Sequence, residues 1–273
     1  MRKLIIGLLI LAGMAVVIDF GAAAYSEYRV SRALRVGADL SADPEVTIHG
    51  FPFLGQALEG RYQSVGIRAQ VVRPDISGQI YVEANLTGVR LPFRDLSDGN
   101  VRRVPVEKLD ARMVIEPVEL GRMFNIPDLQ VHSRPADKSD GTGGSGGSGM
   151  TTTTDGLILT GTLPGTVTKP GGNGAQLSGD KVSVQAELRL VGTQVEITAT
   201  GFYRGTGPDL PTSTMEVPEV DRPAVLAMFS RIIDTKELPF GIQPTKVFAL
   251  GGQIQVEGKG ENVTIDLDRL QRP

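Results

Sequence analysis

The chain contains no cysteine and no tryptophan, and only two of its 273 residues are histidine. Without cysteine there is no disulfide, no thiolate nucleophile and no sulfur-based metal centre, so a chain of this length must be held together by its core alone. The two histidines, His49 and His132, have no second histidine or carboxylate at the spacing of a metal site such as HExxH, which leaves each a structural or surface role. A G-x-S-x-G nucleophile elbow and a Walker P-loop are missing as well. The Gly-rich run Gly171-Gly172-Asn173-Gly174 lacks a following Lys-Ser/Thr and reads as a turn. Neither sign of charge dominates: 28 basic residues face 31 acidic ones for a net −3, and no basic stretch is interleaved with aromatics, which argues against a nucleic-acid partner. Carboxylates are scattered along the chain, and the candidate pairs, Asp95 with Asp98 and Asp266 with Asp268, stand at positions ordinary for turns at strand ends. The expectation is a protein with no catalytic residues, no metal and no cofactor.

The amino terminus is what the chain does have. Arg2 and Lys3 precede an unbroken apolar run from Leu4 to Ile18, followed by Asp19, Phe20 and the small residues Gly21 to Ala24. A positive end, an apolar centre and small residues form the layout of an export signal. The run is short of the roughly 20 residues that cross a bilayer comfortably, so residues 1–24 read equally as a cleaved signal or as a retained signal anchor. Either way the cations stay on the cytoplasmic side and residues 25–273 are exported, placing the body in the periplasmic cell envelope.

Beyond the leader, Tyr25, Tyr28, Val30, Ala33, Leu34, Gly37 and Leu40 recur at helical spacing and predict an amphipathic helix, with Glu27, Arg29, Arg32 and Arg35 on its outer face. The period then changes to two. Val65, Ile67, Ala69 and Val71 alternate with polar residues, as do Ile80 to Leu86, Leu109 to Ile115, Val182 to Leu190, Val195 to Ala199 and the closing Ile254 to Leu267. These predict a long antiparallel sheet with one wet face. A short helix is expected from Pro117 through Phe124, and a longer one after Asp221 with Val225, Leu226, Phe229, Ile232 and Ile233 as its apolar stripe. The fold class is α+β, one domain over residues 25–273, with a flexible Gly/Ser-rich surface loop at residues 139–149.

Apolar side chains gather where a chain usually meets solvent. Phe51 and Phe53 flank Pro52 in a segment bounded by Gly50 and Gly60, and Leu91-Pro92-Phe93 and Leu238-Pro239-Phe240-Gly241-Ile242 repeat the theme. Such clusters suit a buried mouth or a lip that faces a membrane, or equally core plugs that hold loops down. Candidate lipid contacts are Phe51, Phe53, Leu54, Leu58, Phe229, Ile233, Phe240 and Ile242, and candidate headgroup cations are Arg29, Arg32 and Arg61.

The helix after an export leader, then Glu45 through Leu54 with its Gly50-Phe51-Pro52-Phe53-Leu54 core, then Gln56 and Gly60 before the strand Tyr62 to Val71, resembles the actinobacterial lipomannan elongation factor A (LmeA) family. The late Leu238 to Ile242 turn fits it too, and the resemblance covers roughly Tyr25 to Leu270. It implies a periplasmic phospholipid-binding protein that supports mannan elongation in lipomannan and lipoarabinomannan biosynthesis. It also implies a tubular lipid-binding-like fold, a curved antiparallel sheet around a long helix with an apolar tunnel or groove. The partners so implied are a phospholipid, of phosphatidylinositol type, the cell membrane, and a membrane mannosyltransferase. The alternatives are a non-catalytic scaffold that docks such a transferase and an envelope glycolipid-processing enzyme.

Overall fold

The computed structural model describes residues 2–38, 40–72, 79–98, 103–133, 156–164, 179–204, 217–235 and 238–266. The Gly/Ser-rich segment 139–149 and the Gly171–Gly174 turn lie outside them. The chain begins with α1 (Arg2–Gly37), then β1 (Glu45–His49), α2 (Phe53–Glu59), β2 (Arg61–Val72), β3 (Gln79–Arg90), α3 (Phe93–Asp98) and β4 (Arg103–Ile115). It continues through α4 (Pro117–Phe124), β5 (Gln130–Ser133), β6 (Gly156–Thr162), β7 (Lys181–Val191), β8 (Gln194–Phe202), α5 (Arg222–Met228) and β9 (Arg231–Asp234). A 3-10 turn at Pro239–Gly241 leads into β10 (Lys246–Leu250) and β11 (Gln253–Asp266).

The fold is α+β, and its strands form two antiparallel sheets where the sequence suggested one. Six strands in the order β1-β2-β3-β4-β11-β10 curl into a half-barrel, and five in the order β5-β6-β7-β8-β9 form the second sheet. The division follows from strand length. The paired strands β2, β3, β4 and β11 are 12 to 14 residues long, and right-handed twist accumulated over such lengths coils a sheet until it closes on itself or ends. β10 packs beside β5 and β7 and carries the core across. Buried apolar side chains run without interruption from Leu34 through Ile80, Leu109 and Ile115 to Val184, Val225 and Phe229.

Register in the half-barrel is marked by a row of alternating charge. Glu45 pairs with Arg68, Arg68 with Glu83, Glu83 with Arg112, Arg112 with Glu257 and Glu257 with Lys246, so one row crosses all six strands with the sign changing at every step. Two of these neighbours are tight ion pairs, Arg68 to Glu83 at 2.8 Å and Arg112 to Glu257 at 2.7 Å. Each exposed pair contributes little energy, but a slip of one residue would turn the row into the apolar inner face. The inner face of β11 carries Gly258 and Gly260, and the Leu238–Ile242 turn lies directly on them. A Cβ at Gly258 would collide with the Gln243 carbonyl and the Leu238 side chain.

Two helical expectations change. α1 is one unbroken helix of 36 residues, where a leader and a separate helix from Tyr25 to Leu40 were expected; a lone Gly21 costs only about 1 kcal/mol of helix propensity and does not end it. Its packed face differs as well, since Tyr25 and Tyr28 are exposed and Asp19, Ser26, Ser31 and Leu34 are buried. The second change concerns α5, which ends at Met228. Ile232 and Ile233 belong to β9, where Ile233 pairs with Val195. Ser230 makes the turn, donating to the Leu226 carbonyl at 3.0 Å and accepting the Ala199 N–H at 3.0 Å, so helix end and strand edge are satisfied by one hydroxyl.

Glu83→Lys replaces attraction to two arginines with repulsion from both. We expect it to lower unfolding stability in urea at low salt by about 1–2 kcal/mol. Glu83→Gln should cost less, and the gap should narrow in 1 M salt.

Candidate functional site

α1 is held against the half-barrel by a stripe of polar residues four or eight positions apart. Asp19 accepts the backbone N–H groups of Phe53 (2.8 Å) and Leu54 (2.7 Å), Glu27 accepts that of Ile48 (2.7 Å), Ser31 donates to the Pro44 carbonyl (2.7 Å), and Arg35 pairs with Asp43 (3.2 Å). Going up the helix, the partners descend the chain from residue 54 to residue 43, so α1 runs antiparallel to the edge strand β1. Asp19 supplies the cap that α2 lacks locally, where Pro52 offers no side-chain acceptor. Glu27 occupies a free N–H of an edge strand that would otherwise invite another strand.

Between this helix and the concave face of the half-barrel lies an apolar groove of two lobes. The first, a narrow cleft of about 50 Å³, is lined by residues that include Val30, Leu34, Ile48, Tyr62, Leu86 and Leu96. The second, about 200 Å³ and partly open to solvent, extends past Leu40, Val71, Ile80 and Met113. Leu34, Ile67 and Phe240 line both lobes and mark their junction. Among the described residues, neither lining contains Lys, Arg or His. The lining is of the apolar kind that small-molecule and lipid sites favour.

Phe240 reaches this junction at the cost of backbone strain. Its φ of 63° and ψ of 23° are left-handed, which costs a non-glycine residue roughly 1–2 kcal/mol. The Leu238–Ile242 bridge and the packing on Gly258 and Gly260 hold it there. Strain of this sort persists where surrounding structure over-determines it, often at ligand sites.

Tyr62 contributes apolar surface to the first lobe, and its hydroxyl is buried behind that surface. Tyr62 is buried, its ring stands 6.1 Å from that of Phe53, and its hydroxyl has no hydrogen-bond partner among the described residues. Burial pushes this hydroxyl up to about 12 from an ordinary 10.0. A buried phenol is a hydrogen-bond donor awaiting an acceptor. The second lobe has Glu83 at its rim, and that carboxylate is engaged with Arg68 and Arg112.

The residues singled out in the sequence fall in four places. Phe240 lines both lobes. Ile242 is buried beside it and would touch a Cβ on Gly260. Phe53 and Leu54 pack on the core at the α1–α2 contact, while Phe51 and Leu58 are exposed at the same end of the molecule. Phe229 and Ile233 are buried under the second sheet and line neither lobe. Of the cations, Arg29 is half-buried on α1 next to Val30, and Arg32 lies over its neighbour Tyr28 and donates to its hydroxyl at 3.2 Å. Arg61 is occupied by Glu107 at 2.6 Å, a carboxylate shared with Arg90; the two guanidinium groups hold Glu107 below the usual carboxylate range. The carboxylates at the turns are also engaged, Asp98 with Arg94 and Asp266 with Arg103, each at 3.8 Å. Asp268 lies outside the described residues. Among the described residues no cluster of acidic or histidine side chains is arranged to hold a metal.

Tyr62 had no place in the sequence reading. Alternation counted back from Val65 puts residue 62 on the wet face, but Gly88 on the neighbouring strand has a φ of +67°. Gly88 and Val89 are both buried there, and the local distortion turns Tyr62 inward.

Compared with models of protein families, the chain matches one described as LmeA-like phospholipid-binding over residues 17–259. Comparison with curated proteins and with solved structures returns no match.

The raised Tyr62 value fixes the sign of a pH effect. Between about pH 10 and 12 the unfolded chain gives up its phenolic proton while the folded chain keeps it, so stability falls as pH rises through that window. Urea unfolding at pH 9 and pH 11.5 should show the wild type losing about 2 kcal/mol that Tyr62→Phe retains. At pH 7 the Phe variant should be at least as stable as the wild type, because it removes an unpaired buried hydroxyl.

Proposed function

The chain belongs to the LmeA-like phospholipid-binding family, and from that premise we propose that it holds a phospholipid by its acyl portion in the two-lobed groove between α1 and the half-barrel. The observation that carries this reading is that Leu34, Ile67 and Phe240 line both apolar lobes, which therefore adjoin. Burying a dozen methylenes contributes about 10 kcal/mol before costs, comparable with the several kcal/mol lost on association. With no cation in either lining among the described residues, the headgroup stays outside the groove, where Arg29 and Arg32 on α1 are the candidates for its phosphate.

The protein works by binding, without turnover. What supports this is the family's description and the engagement of Asp98 and Asp266 in ion pairs. The exported body stands in the periplasmic cell envelope, a reading supported by the apolar amino-terminal helix, the one described helix long and apolar enough to cross a membrane. A phosphatidylinositol-type ligand, a membrane mannosyltransferase as partner and a part in mannan elongation rest on the resemblance carried by the Glu45 to Leu54 segment and the Leu238 to Ile242 turn.

Native mass spectrometry of the protein purified from actinobacterial membranes, followed by organic extraction, tests the groove. The wild type should carry about one phospholipid per chain. Ile67→Trp, which fills the junction, should retain less than a tenth of that, whereas Ile232→Asp, on an exposed strand of the second sheet, should leave it unchanged. A folded wild type that carries no lipid and takes up no added phosphatidylinositol refutes the proposal.

A further inference from the structure

Burial along α1 changes abruptly. Every described residue from Arg2 to Ile18 is exposed, and Asp19 is 5% exposed. From there on the helix is part of the folded body: Ala22 and Ala23 pack against the core, and the polar stripe begins. Cutting after Ala22 or Ala24, where a signal peptidase would act, would remove Asp19 and leave two N–H groups at the start of α2 without their acceptor. The cut would also fall inside a packed helix.

The exposed run is too short to span a bilayer alone. Fifteen residues of helix from Leu4 to Ile18 cover about 22 Å against a hydrocarbon core of about 30 Å, a shortfall of about 8 Å. Six more residues, through Ala24, close that gap and bring Tyr25 and Tyr28 to the level where tyrosines favour the interface. Over this interval the helix is flanked by the end of the half-barrel, which presents large apolar side chains outward beside the exposed Glu59 and the Arg94–Asp98 ion pair. Phe20 is 63% exposed and stacks on Phe51, itself 62% exposed, with ring centres 6.1 Å apart. Leu58 on α2 is 86% exposed and Phe93 at the start of α3 is 45% exposed. α2 and α3 both pack on α1, and Gly60 at the end of α2 lies against the Leu91–Pro92 backbone just before Phe93. Asp19, the one charge within the run, is shielded by its two backbone donors.

We propose that α1 is retained as a membrane anchor and that Phe20, Phe51, Leu58 and Phe93 form an apolar collar around it that sinks this end of the body into the outer part of the bilayer. The collar supplies the thickness the helix lacks. Asp19 is the clasp, fixing α2 and hence two of the collar's sides to the helix, so the body is seated on the membrane and does not swing from it. The first lobe of the groove ends on Leu91 and Leu96, beside Phe93, so its lower end is held next to the lipid layer. The proposal does not depend on what the groove contains.

The chain has no tryptophan, so single substitutions report their own depth. Full-length protein carrying Phe51→Trp, Leu58→Trp, Leu9→Trp or Val72→Trp is reconstituted into phosphatidylcholine vesicles with and without brominated acyl chains. Val72 lies at the far end of β2 from the collar, about 36 Å along the strand. The Leu9→Trp protein should be strongly quenched, the Phe51→Trp and Leu58→Trp proteins at least half as strongly, with shallow bromines the more effective, and Val72→Trp not at all. Quenching at position 9 without quenching at 51 and 58 overturns the collar. An unquenched position 9, or an intact mass showing that the protein isolated from membranes starts after Ala22 or Ala24, overturns the retained anchor. Lipid extraction from the same sample reads the groove separately, so the two ideas stand or fall apart.

Discussion

The arrangement depends on one constraint: an edge strand and a short helix whose backbone N–H groups have no partner within their own elements. β1 is the outermost strand of the half-barrel, and α2 starts after a proline that cannot cap it. Buried donors left unpaired cost about 1–3 kcal/mol each. α1 answers these donors with the carboxylates Asp19 and Glu27, charged acceptors that make the stronger sort of hydrogen bond, while Ser31 and Arg35 on the same stripe donate to the Pro44 carbonyl and the Asp43 carboxylate. Because the stripe meets specific backbone groups, it fixes where the helix lies along the strand and how it is rotated. Rotation decides the rest: Leu34 and Val30 then face the concave sheet and help enclose the groove, and Tyr25 and Tyr28 face away.

The same constraint explains why parts of the fold were legible in sequence and others were not. β2, β3, β4, β7, β8 and β11 follow the alternation of Val, Ile, Leu and Ala with polar residues, because each has one face on a core. α4 was legible from Pro117 at its first turn. α2 was not, since its capping residue stands 34 positions upstream and no local rule reaches that far. The face of α1 was only partly judged for a related reason: Val30 and Leu34 do face inward, but Tyr25 and Tyr28 do not, and the inward side from Asp19 to Ser31 is largely Asp, Ser, Glu and Ala because it meets a backbone edge. A polar residue at every fourth place from Glu27 to Arg35 was the available sign. At α5, an apolar helical stripe continued past the point where Ser230 ends the helix, and Ile232 and Ile233 passed from one period to the other.

Within the groove, the sequence pointed to Phe240 through the repeated Leu-Pro-Phe pattern, which marks apolar turns. It overlooked Tyr62 because a left-handed glycine on the adjacent strand shifts which residues face in, and that displacement leaves no trace in the alternation of β2 itself. It also gathered Phe229 and Ile233 into one site with Phe51, since side-chain type alone cannot tell the core of a second sheet from the wall of a cavity. The collar and the groove are two uses of the same residue class, separated only by which side of the half-barrel's end they emerge on.

The charge row that crosses the half-barrel limits how the molecule can breathe. With sign alternating at every strand from Glu45 to Lys246, sliding any strand by one residue exposes apolar groups and drives charge inward. Shear is therefore closed to the sheet. What the row leaves free is the curl of the sheet, with the Leu238–Ile242 turn packed on Gly258 and Gly260 at its inner face. Room for a bulkier or slimmer guest comes from opening or tightening the arc about fixed rungs, as a bracelet adjusts to a wrist, and the left-handed Phe240 sits at its clasping edge.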